Sequence, residues 1–131
     1  MKHEESENLK PVKKRNPYKK EESVLQQNCV KWFRLQYPKI IIFAIPNGGK
    51  RNVIEASKMK REGVLAGMPD LMILKPNKQK YGLFMETKSK KGKQSKEQIE
   101  VMEYCICNNY QYNEYRTFED FVQIVTNYFK C

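Results

Sequence analysis

The sequence predicts an α/β domain in three layers, a small mixed β-sheet flanked by helices, and three observations carry that expectation. Short β-branched and aromatic runs alternate with stretches of helical periodicity, so strands and helices interleave along the chain. The strand candidates are continuous apolar runs, the pattern of strands covered on both faces. The chain has 131 residues, 40% of them hydrophobic and 11% aromatic, which suits one domain with a core of its own.

The elements follow in order. Residues 1–20 are polar and carry Lys10, Lys13, Lys14, Arg15, Lys19 and Lys20. They read as a flexible basic arm, either touching phosphates or simply solvated, ahead of a folded domain over 21–131. Residues 22–37 turn helical: Glu22, Gln26, Cys29 and Phe33 fall on one face, and Pro38 stops the helix. Residues 40–45 form an apolar run that predicts a strand buried on both faces, broken by Pro46-Asn47-Gly48-Gly49. A short basic helix over about 52–62 carries Lys58, Lys60 and Arg61, and Gly63 ends it. Residues 71–74 predict a second buried strand, 76–80 a turn, and 83–89 a third strand. Ser95-Lys96-Glu97-Gln98 has the form of a capping box, which starts a helix running to about Cys107. Residues 111–116 predict a fourth strand. Thr117 then caps a last helix with Phe118, Phe121, Val122 and Val125 on its apolar face.

Composition narrows the function. Twenty-five Lys and Arg stand against 15 Asp and Glu, a net charge of +10, which favours a polyanionic partner. No apolar run is long enough to span a membrane, and the N-terminus lacks the apolar stretch of a signal peptide, so a cytoplasmic protein is expected. The cysteines, Cys29, Cys105, Cys107 and Cys131, form no CxxC pair, and the single His3 lies in the arm; reduced thiols are expected rather than a structural zinc site.

The chemistry concentrates on the hairpin of the second and third strands. If its turn centres on Lys78, Asp70 lies opposite Glu86, with Cβ atoms about 5 Å apart. Lys88, two residues beyond Glu86, points to the same side of the sheet. Phe84, Glu86 and Lys88 then share one face, and Leu83, Met85 and Thr87 the other. Two carboxylates facing each other are unfavourable unless a positive group joins them. A hard divalent cation does so, binding carboxylate oxygens, water and substrate phosphate together. The competing reading is a surface hairpin with solvated charges. Against it, Glu86 interrupts an apolar strand instead of lying on a polar face.

Pro69-Asp70 followed by Glu86-Thr87-Lys88 resembles the PD-(D/E)xK nuclease signature. With Pro46-Asn47-Gly48-Gly49, residues 60–63, Gly67-Met68-Pro69-Asp70-Leu71 and residues 95–98, the ordered set resembles the VRR-NUC domain, the virus-type replication-repair nuclease module, over roughly residues 22–116. The resemblance implies the restriction-endonuclease-like PD-(D/E)xK fold and a Mg²⁺- or Mn²⁺-dependent hydrolase that cuts DNA. Stand-alone members of that family are small, often phage-encoded homodimers acting on branched DNA such as Holliday junctions. By position, Asp70, Glu86 and Glu22, with Thr87 between the motif residues, would hold the metal. Lys88 would be the catalytic lysine, and Gln98 would lie beside the site. Glu22 has a second reading, an acid complementing a helix N-terminus. For DNA contacts the candidates are Asn47, Gly48, Gly49, Lys50, Arg51, Lys58, Lys60, Arg61, Lys90, Lys91 and Lys93. The glycine pair could equally be a plain loop. Trp32, Tyr104, Tyr128 and Phe129 read as core or interface. Tyr104, Tyr110, Tyr112, Tyr115, Tyr128 and Phe129 are more aromatics than the C-terminal third needs for a small core and suggest a twofold interface; the alternative is a monomer whose tyrosines cover its own sheet. Two other functions stay open: a non-catalytic nucleic-acid-binding protein on this fold, and a nuclease acting on RNA or free DNA ends.

Overall fold

The computed structural model describes residues 17–46 and 52–131. Its elements run α1 (Pro17–Gln36), β1 (Ile42–Ala44), α2 (Val53–Arg61), β2 (Leu71–Ile73), β3 (Leu83–Thr87), α3 (Lys96–Cys107), β4 (Gln111–Tyr115) and α4 (Phe118–Lys130), the order that the sequence predicts. The strands lie in sequence order in one mixed sheet: β1–β2 and β2–β3 are antiparallel, and β3–β4 is parallel, crossed over by α3.

The hairpin register also follows the expectation. Leu71 pairs with Met85 and Ile73 with Leu83, which centres the turn on Lys78. Asn77 shapes that turn: its Oδ1 accepts the backbone N–H groups of Gln79 and Lys80. One sheet face supplies Ile42, Leu71, Ile73, Leu83, Met85 and Tyr115 to the core. Cys29 and Phe33 of α1 and Phe121, Val125 and Tyr128 of α4 cover it. The i, i+4 spacing of Cys29 and Phe33 gives α1 its apolar stripe. Trp32 packs edge-on against Tyr37, Phe118 and Phe121 at the rim of this core. The opposite sheet face meets α3. Both caps read from sequence are formed: Ser95 and Gln98 complete a capping box, and the Thr117 side chain accepts the Asp120 N–H.

Several expectations are corrected. α1 begins at Pro17, so residues 17–20, assigned to the arm, are its first turn; the remainder of the arm, 1–16, and the Asn47-Gly48-Gly49-Lys50-Arg51 loop lie outside the described residues. β1 is an edge strand of three residues, with Ile41 and Phe43 exposed, and is not covered on both faces. β2 ends at Ile73, and Leu74 is exposed. Tyr112, Tyr115 and Tyr128, expected as interface material, are buried inside the protomer, whereas Tyr104 is 71% exposed. α2 is the surprise: none of its residues is buried.

Candidate active site

The site forms where β2 begins and β3 ends. Asp70 precedes Leu71, whose partner is Met85, so Asp70 falls beside Glu86 as the hairpin register requires. Asp70 Oδ2 accepts the Thr87 N–H at 2.9 Å. Glu86 is 3% exposed. Its Oε1 accepts a hydrogen bond from Gln98 Nε2 at 3.0 Å and its Oε2 one from Tyr112 Oη at 3.3 Å. Lys88, on the same face two residues on, is also buried. Its Nζ donates to Gln98 Oε1 at 2.8 Å and to the Lys93 carbonyl at 3.3 Å, and lies 4.0 Å from Glu86 Oε1. Gln98 therefore has two jobs. Its Oε1 also accepts the Ser95 N–H at 2.9 Å, so the residue that caps α3 is the one that bridges Lys88 and Glu86.

α1 brings two more groups. Glu22 Oε1 accepts the Ser89 N–H at 2.8 Å, and Gln26 Oε1 lies 3.4 Å from the Thr87 hydroxyl. Glu22, Gln26, Asp70 and Thr87 open into one cleft of about 810 Å³ between α1 and the sheet edge. The sequence face of Glu22, Gln26, Cys29 and Phe33 thus turns inward as expected, its apolar half in the core and its polar half at the site.

The electrostatics are those of a site short of positive charge. Burial raises the Asp70 carboxyl above the usual carboxylate range, and the nearby Glu22 adds to the effect. Burial, then the Asp70 charge, pushes Glu86 up to about 8, while Lys88 opposes the rise only in part. The two carboxyl groups share a hydrogen bond, favouring the ionised form of Asp70 and the protonated form of Glu86. The donor set fits a hard divalent cation: opposed carboxylate oxygens, and a charge deficit that a cation would relieve. Among the described residues no three acidic, histidine or cysteine side chains converge tightly enough to hold a metal alone. A cation here would therefore also take water and substrate oxygens, as Mg²⁺ usually does. The Thr87 hydroxyl is bonded to Tyr115 Oη, so a contact of this residue with a cation would have to come from its carbonyl.

The DNA-contact candidates are less concentrated. Lys90 borders a small recess with Glu22, Lys88, Ser89 and Arg116 beside the carboxylates. Lys91 and Lys93 are exposed on the same loop. Lys58, Lys60 and Arg61 are exposed on α2, with Lys58 3.9 Å from Glu62. Three site residues were missed by the sequence reading. Tyr112 holds Glu86. Arg116 donates to the Ser89 and Gly92 carbonyls and so fastens the loop after Lys88. Glu114 pairs with Glu86 across β3–β4 and keeps Oε1 buried with no hydrogen-bond partner among the described residues. The signal was the alternation of 112, 114 and 116 along β4 and the residue after it, readable only once β4 is known to pair with β3.

The family model described as VRR-NUC domain matches residues 4–118 of the chain. A solved structure named "VRR_NUC domain protein" superposes with a TM-score of 0.69 at 24% identity, covering 83% of this chain and 88% of that one. No curated protein matches.

Proposed function

The chain belongs to the VRR-NUC domain family, a nuclease-type domain, and from that premise we propose that it is a Mg²⁺- or Mn²⁺-dependent hydrolase of DNA phosphodiester bonds. One observation carries the reading: two opposed carboxyl groups, the half-buried Asp70 and the buried Glu86, share one end of a sheet with a buried lysine, Lys88.

Asp70, Glu86, the Thr87 carbonyl and Glu22 would hold the cation. Bound there, it would neutralise charge on the phosphoryl oxygens and make a water more acidic. The chain's own residues supply the rest. Gln98 and Tyr112 each grip one oxygen of Glu86, which fixes the carboxylate plane against the Asp70 side. Gln98 and the Lys93 carbonyl aim the Lys88 ammonium along the same edge. From there it can orient the attacking water or stabilise charge developing on the phosphoryl group. Glu22 ties α1 to the loop after Lys88 through the Ser89 N–H, so the helix and the hairpin present one surface to the substrate.

The proposed substrate is branched DNA such as a four-way junction, met by a twofold dimer that offers two such sites. The net charge of +10 supports a DNA backbone as partner. Asp70→Asn and Glu86→Gln should each abolish cleavage of a labelled junction in Mg²⁺ or Mn²⁺ while DNA binding persists. Full cutting in EDTA would overturn the metal-dependent reading.

A further inference from the structure

The cleft between α1 and the edge of the sheet carries more than the catalytic end needs. Along α1, Lys19, Ser23, Gln27 and Lys31 recur every fourth residue and all line it, with Arg34 at the far end. This spacing puts them on one stripe of the helix. Lys19, Lys31 and Arg34 are exposed, and Arg34 is steadied by donating to the Ile42 carbonyl at 3.3 Å. The only carboxylates lining the cleft among the described residues are Glu22 and Asp70, the two at the catalytic end. Everything beyond them is cationic, hydrogen-bonding or neutral.

We propose that this stripe is the track for the DNA backbone, binding phosphates on both sides of the bond to be cut. The proposal rests on the nuclease reading and extends it to residues that no sequence motif singled out. Arg, Lys, Ser and Gln are the side chains that contact phosphate and sugar oxygens without reading bases. The dimensions agree. Lys19 to Arg34 spans about 22 Å of helix axis. Laid along a duplex axis, on which one strand carries a phosphate about every 3.4 Å, that length corresponds to about six phosphates. Glu22 and Gln26, where α1 meets Ser89 and Thr87, lie between the two cationic ends. Lys19 sits one turn before them, and Lys31 and Arg34 one to two turns after. A strand following the stripe therefore passes Asp70 in mid-course.

The test is the salt dependence of binding. Binding of a labelled duplex and a labelled four-way junction is measured in EDTA by fluorescence anisotropy, between about 50 and about 200 mM salt. The triple variant Lys19→Ala/Lys31→Ala/Arg34→Ala is compared with Lys75→Ala/Lys78→Ala/Lys130→Ala, which removes the same charge at the turn end of the sheet. The track predicts that the first triple loses about 2.7 units of log–log slope, about 0.9 per phosphate contact. The second should lose less than one contact's worth. The charge-retaining Lys31→Arg, checked with the others by circular dichroism melts, should keep the wild-type slope. Equal losses in the two triples would overturn the track, since net charge alone would then explain binding. Cleavage in Mn²⁺ separates the two ideas. If wild type cuts and the first triple keeps its slope, the track is wrong and the nuclease reading stands. If the slope behaves as predicted and wild type cuts nothing, the track stands and the hydrolytic reading falls.

Discussion

Glu86 is under two opposed demands: the fold buries it, and the proposed chemistry requires it charged. Its carboxyl, raised to about 8, keeps a proton in the fold at pH values where an unfolded glutamate, titrating near about 4.3, has lost it. The folded chain therefore binds more protons across that window, and stability falls as pH rises through it. Scanning calorimetry of metal-free protein should show the Tm declining from about pH 5 to about pH 8, and Glu86→Gln should flatten the decline. Mn²⁺ should raise the Tm of the wild type most at the upper end, because a cation binds the ionised carboxylate. A Mn²⁺ effect independent of pH would contradict this. Lys88 differs in kind, since it offers no oxygen to a cation. Lys88→Ala should lower kcat by about a hundredfold or more yet leave Mn²⁺ binding in calorimetry intact. Near wild-type turnover would make its role structural. The trio was legible because a hairpin register is local: one turn residue places Asp70, Glu86 and Lys88 together. Tyr112 and Arg116 were not. They reach the site through the parallel β3–β4 pairing, whose register depends on how α3 crosses over, and no short-range pattern encodes that.

At the scale of elements, the approach of loop to helix matters most. Gly67 has φ +86° and sits where an added Cβ would lie 2.6 Å from the Glu97 carbonyl carbon. Gly63 also has a positive φ, +108°, but opens onto free space. A side chain in such a conformation costs about 1–2 kcal/mol, so Gly63→Ala should lose about that much in urea denaturation. Gly67→Ala should lose more, because it also drives the loop off the first turn of α3. Activity should fall with it, since Gln98 holds Glu86 and Lys88 from that same turn. Equal losses at the two positions would show that the contact with Glu97 carries no weight. Elements and caps were well marked in the sequence, because helix periodicity, Pro38, the 95–98 box and Thr117 act within a few residues. β1 was misread for a physical reason. An apolar run reports local hydrophobicity, whereas its place at the sheet edge is decided by strand order, with β2 its one strand neighbour among the described residues.

For the whole molecule the open quantity is the apolar surface that the protomer does not cover. The tyrosines that suggested a twofold interface are largely spent on the fold: Tyr115 packs on Phe121, Tyr128 caps the turn end of the sheet, and Tyr112 serves Glu86. The surplus has moved. Val53 and Ile54 of α2 are 81% and 80% exposed on a helix with no buried residue of its own. Near the other end of the loop after α2, Leu65, Met68, Phe84, Val101, Tyr104 and Tyr110 line an open groove of about 630 Å³ between that loop and α3. Its acidic rim, Glu97 and Glu100, is opposite in sign to Lys58, Lys60 and Arg61 of α2. A helix bearing exposed apolar residues in its first turn and cations in its last, and an apolar groove edged with acids, are complementary when two copies exchange them about a twofold axis. A stable interface of this kind covers about 800 Å² per partner. Sedimentation equilibrium at micromolar protein should therefore give a dimer mass, and Val53→Asp/Ile54→Asp should shift it to the monomer without lowering the Tm by more than the loss of association explains. On a four-way junction the dimer should make paired, symmetric cuts in opposing strands, and the double variant should make uncoupled nicks. A wild-type monomer would remove the claim. A dimer that survives the double substitution would place the interface elsewhere, away from α2.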